Sequence, residues 1–212
     1  MNMTAERRTE TARGPKVRAR RQSLYLTTAL AMVLALGIGP ERAWAQSVTA
    51  QGDVSPTPLP AGQPSWDAGG DIYVGNSGTG TLTVTDGGLV KSDIGWIGDN
   101  TGSEGTVLVS GTDASGNAST WTNSKILYVG NSGTGELTIE DGGTVSNTDG
   151  QIGTFAGFDG AVTVSGNGSI WTNSGELYVG YSGTGTLAVQ NGGKVSNTEG
   201  YIGLYLGSNG TV

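Results

Sequence analysis

The sequence predicts an all-β protein built as a parallel β-solenoid, with one coil for about every 25 residues. Three observations lead to this fold class. Glycine supplies 39 of the 212 residues, far above its usual share of ~7%. Long segments recur at spacings of 50 and 55 residues, and each consists of two similar halves. Short stretches alternate apolar and polar side chains, as strands with one buried face do.

The repeats define the coils. Asparagines close successive halves, and five extra residues, 112–116, account for the one longer spacing. The segments WDAGGDIYVGNSGTGTLTVTDGGLV, WTNSKILYVGNSGTGELTIEDGGTV and WTNSGELYVGYSGTGTLAVQNGGKV begin at Trp66, Trp121 and Trp171, and the closing asparagines are Asn123, Asn147, Asn173 and Asn197.

Each half-repeat carries a strand too short to bury a face alone. In the first one, Leu82 and Val84 face one way and Thr83 faces the other. Such strands must stack on the next copy, which gives a rise of ~4.8 Å per coil. We expect five complete coils and a sixth that stops inside a strand at Val212, opening near Ile72, Ile97, Leu127, Ile152, Leu177 and Ile202.

Residues 1–45 have the order of a secretory signal peptide. A basic stretch precedes an apolar run over 24–39, and Ala43-Trp44-Ala45 follows. The apolar run falls short of the ~20 residues that span a bilayer, so we predict cleavage after Ala45. Residues 46–65 contain four of the six prolines and are predicted to be an extended spacer. The solenoid is then expected over 66–212, with both ends open and a tendency to associate.

Composition excludes several kinds of chemistry. The chain has no Cys and no His, so it offers no thiol nucleophile, no Ser/His/Asp triad and no ordinary zinc site. Residues 46–212 carry three Lys, no Arg and fifteen acidic residues, which makes nucleic acid a poor partner. We expect no cofactor, no metal and no catalytic residues.

One pair of acidic residues has the spacing of a catalytic pair. Asp86 and Asp141 precede Gly-Gly two coils apart, ~9.6 Å along the stack, near the ~6.5–9.5 Å of inverting glycosidases. The third copy has Asn191 at this place, and Asp or Asn before Gly suits a tight turn. Turn chemistry is therefore favoured, and an enzyme acting on polysaccharide is the alternative function.

Aromatic residues fall into two sets. Trp121 and Trp171 occupy positions where sister halves have Val90, Val145 and Val195, so packing in the core is favoured over an exposed sugar platform. If Leu127 faces inward, Tyr128 faces outward, and five of the six aligned outward positions are aromatic. These positions are Tyr73, Trp96, Tyr128, Gln151, Tyr178 and Tyr201.

Stacked one per coil, the aromatic side chains would form a stripe on one face of the solenoid. Such a stripe could bind a surface glycan or the same stripe on another molecule. The competing interpretation is a cross-strand ladder that only stiffens the sheet.

The blocks GNSGTGTLTVTDGG and VSGNGSIWTNSGELYVG resemble the passenger repeats of type V secretion autotransporters, which some PEP-CTERM surface proteins share. The resemblance covers residues 66–212. It implies a right-handed β-helix on the cell surface or outer membrane of a Gram-negative bacterium, with a role in adhesion or autoaggregation. It also implies an outer-membrane β-barrel in a full-length protein, which the 212 residues do not contain.

Overall fold

The computed structural model describes residues 48–56 and 63–212, which form twenty strands, numbered in chain order, and no helix that could cross a membrane. The long sheet contains, in order, β1 (Val48–Gly52), β5 (Thr79–Val84), β8 (Glu104–Ser110), β11 (Thr134–Glu140), β14 (Asp159–Ser165), β17 (Thr184–Gln190) and β20 (Asn209–Thr211). The short sheet contains β2 (Val54–Ser55), β4 (Ile72–Val74), β7 (Gly95–Ile97), β10 (Leu127–Val129), β13 (Gly150–Ile152), β16 (Glu176–Val179) and β19 (Glu199–Ile202). The intermediate sheet contains β3 (Ser65–Asp67), β6 (Leu89–Ser92), β9 (Thr120–Asn123), β12 (Thr144–Asn147), β15 (Ile170–Asn173) and β18 (Lys194–Ser196).

One coil visits the three sheets in turn. The third coil, for example, runs through β10, β11 and β12, and each of these strands pairs in parallel with its counterparts in the coils before and after. From β4 onward the described chain completes five coils and enters a sixth through β19 and β20. The predicted solenoid, with about 25 residues per coil, is confirmed.

The alternation along the strands places the core inside the coils. In β11, Leu137 and Ile139 are fully buried, whereas Glu136 is exposed and Thr138 is half-buried. The same alternation recurs in β5, β8 and β14. Each buried Val, Leu or Ile contributes about 1.5–3 kcal/mol, so the stack is held mainly by this column of apolar side chains.

Two kinds of coil alternate along the stack. Trp121 and Trp171 are fully buried, which confirms their predicted place in the core. Opposite Trp171 lies Gly150, where a Cβ would stand 2.9 Å from Trp171 Cζ2; Gly95 is placed likewise, 2.7 Å from Trp121 Cζ2. Coils without a tryptophan have a large side chain at the glycine position and valine at the tryptophan position. The pairs are Ile72 with Val90, Leu127 with Val145, and Leu177 with Val195. This exchange of bulk explains why the sequence repeats every two coils.

Buried asparagines stabilise the corner between the intermediate and short sheets. Asn147 Nδ2 donates to Asn173 Oδ1 at 2.6 Å, and Asn147 Oδ1 accepts from Trp171 Nε1 at 2.7 Å. In the coils below, Trp121 Nε1 donates to Ser92 Oγ at 3.1 Å. At this corner the buried indole and amide groups are thus satisfied by bonds between coils.

The five residues inserted at 112–116 form a compact surface loop. The Asp113 carboxylate accepts the backbone N–H of Ser115 and of Asn117, both at 2.8 Å, and the side-chain amide of Asn117 at 2.7 Å. These bonds, led by the one from the Asn117 side chain, lower the pKa of Asp113. The loop folds on itself outside the coil, and the strands on either side of it, β8 and β9, keep their regular parallel register with β11 and β12.

The amino-terminal end of the stack is covered, which corrects two expectations. Residues 48–55 were predicted to belong to an extended spacer, but β1 pairs antiparallel with β5 and β2 pairs antiparallel with β4. Val48 and Val54 are buried against the first coil, and β3 covers the third edge by pairing with β6. The spacer prediction is wrong for these residues because alternate apolar side chains bury there, and this end is not open. We call residues 48–55 the cap.

Asp53 fastens the cap to the first coil. Its backbone N–H donates to the carbonyl of Thr79 at 2.8 Å and its carbonyl accepts from Gly75 at 2.7 Å. Its carboxylate accepts the backbone N–H of Ser77 at 2.6 Å and of Gly78 at 2.7 Å. These two bonds, that from Ser77 first, lower the pKa of Asp53 below its usual 3.8.

The lowered pKa makes the cap sensitive to acid. A carboxylate whose folded-state pKa is depressed stabilises the fold above its unfolded pKa, and this contribution disappears as pH falls through the folded value. We expect Asp53→Asn to melt at a lower temperature than the wild type at pH 7, and the difference to be smaller at pH 2. Thermal unfolding followed by circular dichroism at both pH values measures it. A difference that is the same at pH 7 and at pH 2 would contradict this role.

Candidate functional site

The structure brings the predicted aromatic residues onto the outward face of the short sheet. Parallel pairing aligns Tyr73 with Trp96, Trp96 with Tyr128, and Tyr178 with Tyr201. Gln151 lies between Tyr128 and Tyr178 in the same row. The predicted register is confirmed at all six positions. We call the row the aromatic ladder; it consists of Tyr73, Trp96, Tyr128, Gln151, Tyr178 and Tyr201.

The rings of the ladder stack in two groups. Tyr73 and Trp96 have centroids 6.0 Å apart and an interplanar angle of 3°; Trp96 and Tyr128 are 4.2 Å apart at 12°. Tyr178 and Tyr201 are 5.0 Å apart at 12°. Gln151 separates the groups. Because neighbouring rings cover one another's faces, the ladder presents ring edges and phenol groups to the solvent more than ring faces.

Two further tyrosines extend the second group. Tyr181 packs its ring against Tyr178 with centroids 5.1 Å apart and planes at 83°, and Tyr205 packs against Tyr181 at 4.9 Å and 66°. Edge-to-face contacts of this kind are favourable for aromatic rings. Sequence reasoning missed both residues because they lie in the turn after the strand. The signal was nonetheless present, since Tyr181 replaces the Asn131 of an otherwise identical GNSGTG segment.

Carboxylates lie beside the phenols. Tyr201 Oη donates to Glu199 Oε2 at 2.6 Å, and Tyr178 Oη donates to Glu176 Oε2. The bond to Glu199 raises the pKa of Tyr201. Each glutamate lies two residues before its tyrosine, on the same face of the same strand. The second group of the ladder thus consists of tyrosines that each have a nearby proton acceptor.

In the first group of the ladder, burial is the main cause of the raised pKa values of the tyrosines. Desolvation raises the pKa of Tyr73 and of Tyr128, and the charges of Asp71 beside Tyr73 and Asp149 beside Tyr128 add to the effect. The indole nitrogen of Trp96 is buried and has no hydrogen-bond partner among the described residues. The first group is therefore a closely packed, half-buried stack around one tryptophan.

The acidic pair considered for catalysis occupies tight turns. Asp86, Asp141 and Asn191 all have positive φ, of 52°, 50° and 53°, and each is followed by a glycine with positive φ. In each turn the second glycine donates its N–H to the carbonyl three residues earlier, at 2.9 Å. Two central residues with positive φ are the pattern of a type I′ turn, for which Asp-Gly and Asn-Gly are preferred. The shared geometry accounts for all three residues as turn formers.

The charges elsewhere on the described surface are sparse. Lys125 Nζ lies 3.0 Å from Asp93 Oδ2, with both side chains about half exposed, and such a pair contributes at most about 1 kcal/mol. Within residues 48–56 and 63–212, no three His, Cys, Asp or Glu side chains are grouped as a metal ion would require. The predicted cleavage site at Ala45 and the signal peptide fall outside the described residues.

Comparison with known proteins gives one partial similarity. No family model matches the chain, and no solved structure matches it. The uncharacterized lipoprotein YdeK of Escherichia coli (strain K12) is 37% identical over 81 residues. That stretch is 38% of this chain but 6% of the lipoprotein, so the similarity covers a small part of the relative's length.

Proposed function

We propose that the chain is an exported β-solenoid passenger of an autotransporter-like surface protein, non-catalytic, which mediates adhesion or autoaggregation through its aromatic ladder. The observation that carries the proposal is the ladder itself. Five of six successive outward positions are aromatic, although water-facing positions of a strand ordinarily take polar residues. Aromatic residues are enriched where proteins meet partners.

The location proposed for the protein rests on two independent features. The relative in Escherichia coli is described as a lipoprotein, which is consistent with a place in the cell envelope for both proteins. The order of basic, apolar and Ala-x-Ala segments in residues 1–45 favours export. Type V secretion is the route that the repeat resemblance suggests.

The absence of catalysis is also a proposal, and it has its own test. The turn geometry of Asp86 and Asp141, shared by Asn191, supports it. We expect the purified chain to release no reducing sugar or unsaturated product from pectic and other polysaccharides. Turnover that Asp86→Asn or Asp141→Asn abolishes would establish the alternative, a polysaccharide-active enzyme.

Two properties suit the ladder to adhesion. All of its strands except β19, which carries Tyr201, have backbones paired on both sides, so little conformational entropy is lost on contact. The phenols and the neighbouring Glu176 and Glu199 offer hydrogen-bonding groups beside apolar ring edges, a combination that suits sugar hydroxyls or a second ladder. The competing role is structural, because stacked aromatic pairs contribute about 0.5–1.5 kcal/mol each.

Replacing ladder residues separates the two roles. We expect the double variant Tyr128→Ser, Tyr178→Ser, displayed on a bacterial strain that does not aggregate by itself, to lose the cell-to-cell aggregation that the displayed wild type confers. Aggregation is followed by sedimentation of the culture, and thermal stability by circular dichroism on purified protein. The matched control is Thr138→Ser, Thr163→Ser, at outward positions of the long sheet, which should aggregate as the wild type does.

The results distinguish an adhesive role of the ladder from a structural one. Lost aggregation with an unchanged melting temperature supports an adhesive ladder. A lowered melting temperature with aggregation retained assigns the ladder to stiffening the sheet and contradicts the proposal. A displayed wild type that confers neither aggregation nor adhesion contradicts it as well.

A further inference from the structure

The solenoid concentrates its solvent-accessible oxidisable side chains on one face, since Trp66, Trp121 and Trp171 are buried. The sequence has no cysteine and no histidine, and its three methionines, Met1, Met3 and Met32, all precede residue 45. One-electron oxidation of residues 46–212 must therefore fall on tyrosine or tryptophan. All six tyrosines of this part of the chain, together with Trp96, lie in or against the aromatic ladder. The tyrosines are Tyr73, Tyr128, Tyr178, Tyr181, Tyr201 and Tyr205.

Trp96 is placed so that, once oxidised, it can take an electron from a neighbouring ring. Its ring lies between Tyr73 and Tyr128, with centroid distances of 6.0 Å and 4.2 Å. Its indole nitrogen is buried and has no acceptor among the described residues. An indole that has lost an electron but has nowhere to send its proton stays a radical cation, which is a stronger oxidant than the neutral radical.

Tyr178 and Tyr201 are built to end such a transfer. A phenol gives up an electron readily only if its proton leaves at the same time, which requires a base within hydrogen-bond distance. Glu176 accepts from Tyr178 and Glu199 accepts from Tyr201, the latter at 2.6 Å. The two rings stack 5.0 Å apart, so an electron can pass from one phenol to the radical of the other while the donor's proton moves to its own glutamate and the other glutamate returns its proton.

A path connects the two groups across Gln151. Tyr128 and Tyr178 stand two coils apart, ~9.6 Å along the stack. This is the longest step of the row, because the rings on either side of it stack at 4.2–6.0 Å. Every step of the row is therefore shorter than the distance between neighbouring secondary-structure layers, ~10 Å.

We propose that the aromatic ladder is a one-electron relay that carries oxidising equivalents from Trp96 to the phenol–carboxylate pairs of Tyr178 and Tyr201. A soluble one-electron oxidant takes one electron from Trp96. Tyr178 or Tyr201 then returns one electron to Trp96 along the row, across the gap at Gln151, and its phenol proton passes to Glu176 or Glu199. The net change is one oxidant reduced, one neutral tyrosyl radical formed and one carboxylate protonated.

The relay would keep oxidation away from the core. Trp121 and Trp171 are fully buried and hold the stack together, and oxygenated tryptophan in those places would introduce polar groups into a packed interior. Tyrosines on the outer face that take up the oxidising equivalent would protect these two tryptophans from oxidation. This role does not depend on adhesion, so either proposal can fail while the other stands.

Flash photolysis of the full chain tests the relay. A photoexcited ruthenium(II) polypyridyl complex, quenched by a one-electron acceptor, supplies the oxidant, and transient absorption distinguishes tryptophan from tyrosyl radicals. We expect the tryptophan radical signal to decay as the tyrosyl signal rises. The rise should be lost in Trp96→Phe, and the tryptophan radical should live at least tenfold longer in Tyr178→Phe, Tyr201→Phe. Both changes keep a ring in the stack.

Two further variants identify the proton acceptors and the endpoint. Glu176→Gln, Glu199→Gln keeps all rings but removes both bases, and it should slow the rise of the tyrosyl signal at least tenfold. Tyr205→Phe, which leaves both phenol–carboxylate pairs in place, should match the wild type. An unchanged rise in Trp96→Phe, or an unchanged tryptophan radical lifetime in the double Phe variant, would overturn the relay.

Discussion

Replacing Trp171 with alanine is expected to lower the free energy of unfolding by about 3–5 kcal/mol. The side chain is fully buried, and its removal leaves a cavity beside Gly150, which has no side chain to fill it. Asn147 Oδ1 also loses the indole donor 2.7 Å away, and an unsatisfied buried acceptor costs about 1–3 kcal/mol. Denaturation in guanidinium chloride followed by circular dichroism measures the loss.

A second, compensating substitution at Gly150 is expected to restore much of the stability that is lost when Trp171 is replaced. Gly150→Leu alone should also destabilise, because a Cβ there would already stand 2.6 Å from Asn173 Oδ1. The double variant Trp171→Val, Gly150→Leu reproduces the Val145 and Leu127 pair of the preceding coil. It should therefore be more stable than Gly150→Leu alone, with recovery kept incomplete by the lost Asn147 bond.

The matched control combines Gly150→Leu with Trp121→Val, a tryptophan of a different coil. Gly150 faces Trp171, whereas Trp121 faces Gly95, so the effects of this pair should simply add. Additive losses in both combinations would contradict the exchange of bulk between tryptophan and glycine that we assign to the two coil types.

Deleting residues 48–56 is the second change with a large expected effect. The deletion exposes the edges of β4 and β5 that β2 and β1 cover, and it removes the buried Val48 and Val54. Burial of the two valines alone contributes about 3 kcal/mol. Exposed strand edges also template pairing with other chains. We expect a lower melting temperature and concentration-dependent oligomers in analytical ultracentrifugation.

The control for the cap is Gln51→Ser, an exposed side chain on β1, which should leave melting and mass unchanged. A deletion variant that stays monomeric at high concentration and melts as the wild type does would show that residues 48–56 are an appendage and that the first coil needs no cover.

Much of the architecture could be predicted from the sequence because the coils repeat. Once Leu127 was placed inward, parallel stacking fixed the register of the whole ladder, and the Asp-Gly and Asn-Gly pairs identified the turns. Repetition constrains every copy at once. An error in one coil would have conflicted with the others.

The features that escaped prediction are those that do not repeat. The cap has no counterpart in the later coils, and the prolines that follow it from Pro56 onward are typical of a spacer, so only the alternation of Val48, Ala50 and Val54 indicated a strand. Gly150 and Trp171 are 21 residues apart in the sequence, and the Trp171 ring packs against the Gly150 backbone inside one coil. Local patterns carry no information on such a contact.

The most direct test of the account is one distance across the stack. The chain has no cysteine, so spin labels can be placed at Thr83→Cys and Ala188→Cys alone, both half-buried outward positions of the long sheet four coils apart. Stacking at ~4.8 Å per coil predicts a narrow distribution centred at ~19 Å by pulsed electron spin resonance. A broad distribution centred at ~50 Å, as expected for a flexible chain of this length, would contradict the solenoid and the ladder it supports.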